Sequence, residues 1–154
     1  MRHRLLPFIT VACIACAAAT PLTAQIRSCP ALTQSIPDEK FKPGQVWAYQ
    51  TRPGEAASTL TVLRVDSYGK IGIIVHIRVD GLRAHNPRGE RVPSVEHMPF
   101  TRDAILLSVD RLLKSNQPLP TIEGLDRWRS DCGGVYTISV RDAVDVMEKT
   151  LNAP

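Results

Sequence analysis

The stretch KIGIIVHIRVDG, Lys70 to Gly81, decides the fold. Ile71, Ile73, Val75, Ile77 and Val79 share one parity; Gly72, Ile74, His76, Arg78 and Asp80 share the other. Side chains alternate across a strand, so this period of two predicts a β-strand with its aliphatic row against a core. His76 then stands in the opposite, solvent-facing row, which grows more polar toward Asp80. One apolar face and one wet face is the pattern of an antiparallel sheet.

Upstream, GQVWAYQT (Gly44–Thr51) is rich in strand formers and is closed by the turn Arg52-Pro53-Gly54-Glu55. STLTVLRVD (Ser58–Asp66) is a second predicted strand, and its apolar phase switches between Val62 and Leu63, the mark of a bulge or strong twist. Ser67-Tyr68-Gly69 is short enough to link it to the next strand as a hairpin.

Downstream, Gly81–Arg91 reads as a long loop and Val92–Met98 as a short strand with Pro93 near its start. Thr101 caps a predicted helix running to Asn116, with Ile105, Val109, Leu112 and Leu113 at helical spacing. A shorter helix follows Thr121, with Ile122, Leu125 and Trp128 on one side. Gly133-Gly134 opens a last strand over 134–140. Ser139 and Asp142 have capping spacing ahead of a final helix over 140–151, striped by Val140, Val144, Met147 and Leu151. Strands first and helices later favour an α+β fold: a twisted antiparallel sheet of four to five strands with two or three helices packed on one face.

The N-terminus has a different character. Arg2 and Arg4 precede a 15-residue apolar run, Leu5–Ala19, and Leu22-Thr23-Ala24 supplies small residues before a cut. The run is shorter than the roughly 20 residues a membrane span needs, so residues 1–24 are expected to be a signal peptide of a periplasmic or secreted bacterial protein. An uncut anchor, or lipoprotein processing at Cys16, is the competing assignment; Cys16 lacks the Leu usual three places before it. Residues 25–43 read as an irregular arm punctuated by Pro30, Pro37 and Pro43, leaving 44–154 as a single α+β domain.

Removing Arg2 and Arg4 from 19 basic residues leaves 17 against 15 acidic ones, a charge of +2. That mild balance gives no footprint for nucleic acid or an anionic membrane surface. Cys29 and Cys132 are the cysteines left after the signal, and in an exported chain the pair reads as a disulfide.

Candidate chemistry is sparse. There is no HExxH, GxSxG or phosphate loop, and Cys29 and Cys132 lack CxxC spacing, so no metal, no cofactor and no catalytic residue is assigned. His76 and His97 could meet, with Glu96, as an acid/base cluster. Strand parity puts Glu96 and His97 on opposite sides, so at most one is expected to share a face with His76. Arg78, Arg83, Arg88 and Arg91 crowd one strand end and its loop, which makes either an anion-recognising patch or an ordinary solvated loop. Trp47 and Tyr49 share a parity and form either an exposed platform for sugars or peptides, or part of the core.

At FKPGQVWAYQTRPGE, STLTVLRV, IGIIVHIRVDGL and VEHMPF, over about Phe41 to Leu112, the chain resembles a family of small uncharacterised bacterial proteins. That family shares an F-K-x-G-Q-V-W-x-Y opening, a T-R-x-G-E turn, and I-V-H-I and H-M-P-F segments. The resemblance implies a shared fold and a bacterial source, and it carries over no activity. The exported N-terminus and the Cys29/Cys132 pair are not features of that family. The expected function is a small exported binding or interaction domain, immunity- or inhibitor-like, for a protein or cell-envelope polymer. Its candidate surface is His76, Arg78, Arg83, Arg88 and His97. The alternative is a small hydrolase using His76 or His97 with a nearby carboxylate.

Overall fold

The computed structural model describes residues 32–120, 122 and 124–153, so the expected signal peptide and Cys29 lie outside the described residues. Over the described residues the fold is α+β, with a six-stranded antiparallel sheet and three α-helices. The strands are β1 (Leu32–Ser35), β2 (Val46–Tyr49), β3 (Thr59–Tyr68), β4 (Gly72–His85), β5 (Arg91–Thr101) and β6 (Val109–Lys114). The helices are α1 (Arg102–Ser108), α2 (Leu125–Ser130) and α3 (Val140–Leu151). The spatial order is β5-β4-β3-β2-β6, with β1 on the same side of β3 as β2 but farther along it.

Val75, Ile77 and Val79 of β4 are fully buried in the main core, as the alternation predicts. Leu60, Val62 and Val65 of β3, Ala104 and Ile105 of α1, and Val140, Ala143 and Val144 of α3 join it, with Phe41, Leu82, Met98 and Phe100. Trp47 and Tyr49 belong to this core and form no exposed platform. α1 and α3 thus cover one face. α2 lies across the other, where Trp128 packs against His76, so the helices are not confined to one side.

Several sequence expectations are corrected. Ile71 is half exposed in a 3₁₀ turn, Gly69–Ile71, that replaces the simple hairpin link. β4 runs on to His85 and β5 begins at Arg91, so the expected long loop shrinks to a tight turn at 86–90 in which the Asn86 side chain accepts from the backbone of Arg88 and Glu90. The helix capped by Thr101 stops at Ser108, and Val109–Lys114 turns back as β6 along β2. The apolar spacing of VDRLLK fits either state; what decides is that the outer edge of β2 has backbone groups needing a partner. No strand forms over 134–140. Tyr136 makes a single parallel bridge to Phe100, donating to Pro99 O and accepting from Thr101 N, both at 2.9 Å. The arm is not irregular throughout: β1 pairs with β3, Phe41 is fully buried, and Asp38 accepts from the backbone of Lys40 and Phe41 while binding Arg102.

Both helix caps read from the sequence form. Thr101 Oγ1 accepts from Ala104 N, and Ser139 Oγ from Asp142 N. Among the described residues no helix is long and apolar enough to cross a membrane.

Candidate functional site

The site is built by bulges on both flanks of β4. On β3, Val62 pairs with Ile77 and Arg64 with His76, so Leu63 is an extra residue. The inserted residue reverses the parity of the strand, sending Val65 to the main core and turning Arg64 and Asp66 to the face that carries His76. The phase switch at Val62–Leu63 foretold this bulge.

On β5, Val95 pairs with Val79 and Met98 with Ile77, so Glu96 and His97 together oppose Arg78. This second bulge corrects the parity argument made from sequence. Glu96 reaches the Arg78 guanidinium, while His97 reaches His76 on the same face of the sheet. The extra residue between Val95 and Met98 is why alternation alone misplaced the pair; from Met98 to Thr101 the register is regular again, with Pro99 opposite His76.

His76 is fully buried, not wet. Its Nδ1 lies 2.9 Å from His97 Nε2, and its Nε2 lies 3.5 Å from Asp66 Oδ2. The imidazole planes are 13° apart with centroids 5.1 Å apart. A nitrogen contact of 2.9 Å is too close for rings in separate stacked layers, so the rings meet edge to edge and share a hydrogen. Asp66, itself fully buried, accepts from Arg64 Nε at 2.6 Å and faces Arg129 Nη2 at 3.6 Å. Trp128 closes over both rings, edge-on to His76 at 5.1 Å and to His97 at 5.9 Å.

Burial, followed by the neighbouring His97, lowers the His76 pKa to about 4, with Asp66 opposing the shift. Burial also lowers His97. Near neutral pH the pair is therefore uncharged. Letting His76 Nε2–H face Asp66 leaves Nδ1 to accept from His97 Nε2–H, so His97 Nδ1 carries the free lone pair.

His97 opens onto a cleft of about 490 Å³ at the free margin of β5, walled by Val95, Met98, Trp128, Val135, Tyr136 and Met147. Gly133 seats the indole: a Cβ there would overlap the Trp128 ring, and Trp128 Nε1 donates to Gly134 O at 2.9 Å. The Gly133-Gly134 pair is thus the floor beneath a tryptophan rather than the start of a strand. Among the described residues the outer edge of β5 is engaged only by the Phe100–Tyr136 bridge.

The arginines are carried by different segments. Arg78 is held by Asp80 and Glu96 on the sheet, the Arg83 backbone N–H donates to Glu55 at the turn after β2, and Arg88 sits in the exposed turn at 86–90. Asp66, Trp128 and Arg129 are the site residues sequence reasoning did not name. For Asp66 a signal existed: following the phase switch three residues past Leu63 puts its carboxylate on the face of His76. No group of His, Cys, Asp and Glu among the described residues has the geometry of a metal site.

Fold and site together define an α+β sheet protein with a buried histidine pair bordering an apolar edge cleft. No known protein family, curated protein or solved structure matches the chain.

Proposed function

We propose that the protein is a small exported binding domain that receives an extended segment of a protein partner along β5, with an apolar side chain seated in the adjoining cleft. The observation that carries this is the coincidence of an open sheet edge with that cleft. An added strand draws affinity from main-chain hydrogen bonds and specificity from a side-chain pocket beside the edge. A protein segment fits better than a cell-envelope polymer because the lining is aliphatic and aromatic, with His97 the one side chain among its described residues that titrates between acid and neutral pH.

The hydrolase alternative has one observation in its favour, the Asp66–His76–His97 chain ending at the cleft. Against it, the cleft is lined by no hydroxyl or thiol nucleophile other than the Tyr136 phenol, and burial weakens both imidazoles as bases. Binding is the better-supported reading. The family resemblance supports a shared site, since its I-V-H-I and H-M-P-F segments contribute His76 and His97. Export and a Cys29–Cys132 bridge are parts of the same proposal.

The test is selection from a displayed library of random peptides, followed by amide mapping of the complex. Enriched peptides should protect amides of residues 94–98, and Val135→Arg, which fills the cleft from its half-buried wall, should abolish binding without unfolding the chain. Peptides that map elsewhere and tolerate Val135→Arg would overturn the proposal.

A further inference from the structure

We infer that the histidine pair is an acid-operated latch on this cleft, expelling an occupant as the pH falls; this deepens the binding reading and rests on it. The geometry of the contact supplies the mechanism. Across the 2.9 Å gap between His76 Nδ1 and His97 Nε2 there is room for one hydrogen. An imidazolium carries a hydrogen on each ring nitrogen, so a doubly protonated pair sets N–H against N–H and the contact must break.

The first added proton is already disfavoured. The charged groups facing the pair are Asp66 and Arg64 from β3 and Arg129 from α2, with the Arg78–Glu96 ion pair next along the sheet. Among the described residues Asp66 is the sole anion against the pair, and its carboxylate is shared with Arg64 and Arg129. The walls contributed by Val135, Tyr136 and Met147 bring no charge.

Of the two rings, His76 is enclosed on every side, whereas His97 is half-buried and borders the cleft. Relief comes by His97 swinging outward into the space an occupant would fill. Trp128 packs against both rings as well as Tyr68 and donates one hydrogen bond, to Gly134 O, so a displaced His97 shifts the indole with it. Protonation of a pair at a cleft mouth is thereby converted into displacement of the cleft wall.

The experiment separates latch from occupant. In the free protein, long-range nitrogen–proton NMR would follow both imidazoles and the Trp128 indole N–H from about pH 7.5 to about pH 4, the range a perturbed histidine spans. The indole resonance is expected to shift in step with the imidazoles, and His97→Gln to abolish that step in a chain that stays folded. Imidazoles that titrate while the Trp128 signal stays still would overturn the latch. With a peptide selected as above, binding should weaken about tenfold or more between the ends of the range, and His97→Gln should flatten this dependence. A peptide that binds equally across the titration also overturns the latch. Failure to obtain any cleft-binding peptide, with the Trp128 step intact, sinks the binding reading and leaves the coupling of His97 to Trp128 standing.

Discussion

His76 is the residue whose reading from sequence was half right. Its parity followed from the alternation of Lys70–Gly81, because the period of a strand depends on backbone geometry alone. Its burial did not follow, since periodicity says which face a side chain takes and nothing about what covers that face. The cover comes from Trp128, more than fifty positions away, seated on Gly133. A buried neutral histidine has a definite consequence for stability against pH. The folded-state pKa of about 4 lies below the ordinary histidine value of 6.5, so the unfolded chain takes up the proton first on acidification. Stability from this group is present in full above about pH 6.5, erodes as the pH falls, and is lost once it passes the folded value. The shift corresponds to a loss on the order of 3 kcal/mol, and His97 adds to it with the same sign. Urea midpoints measured from neutrality down to about pH 4 should therefore fall, and His76→Gln should flatten that decline. An unchanged slope in the variant would assign the acid sensitivity to other groups.

Among the elements, what was legible depended on whether a segment's own pattern or its neighbour decided the outcome. α3 formed where its stripe and its Ser139 cap placed it, because both signals are local. β6 was misread because VDRLLK satisfies two periods, and the choice fell to the unpaired edge of β2. The turn TRPGE was visible as a turn, but its role was not. Arg52 grips Glu55 with Nε and Nη2 at 2.9 and 2.5 Å, and its Nη1 reaches Asp145 at 3.1 Å and Glu148 at 2.6 Å on α3. Glu55 also accepts from Arg83 N, and Glu148 from His85 N, so one guanidinium ties the turn and the end of β4 to the final helix. Burial alone would raise the Glu55 pKa, yet Arg52 and the Arg83 amide hold it below the usual carboxylate range. Arg52→Ala leaves the almost wholly buried Glu55 carboxylate without its cation, which should cost about 3 kcal/mol or more in urea unfolding. Asp145→Asn, at a partner side chain 46 % exposed, should cost well under about 1 kcal/mol. Equal losses would show that the clamp acts through surface attraction rather than through the buried pair.

At the level of the whole molecule, the order of strands then helices was enough to name the α+β class, because layer architecture follows from which faces must be buried. It did not reveal that α2 crosses to the second face, since a short helix with Leu125 and Trp128 on one side can serve either layer. α2 is a slight element to cover a fully buried histidine: it spans only Leu125–Ser130 and is held by Trp128, Arg129 and the buried Leu125. The proposed Cys29–Cys132 bridge bears on this point, because Cys132 lies two residues past the end of α2 and adopts a positive φ of 51°. Closing a loop of about 100 residues restricts the unfolded chain by up to about 4.7 kcal/mol on the chain-entropy account. Exported protein denatured without reductant should accordingly show no titratable thiol. Reduction should lower the urea midpoint, and it should speed amide exchange in α2 more than in β3 or β4, whose ladders are anchored by the main core. Two titratable thiols before reduction would remove the bridge and leave Trp128 on Gly133 as the principal hold on that helix.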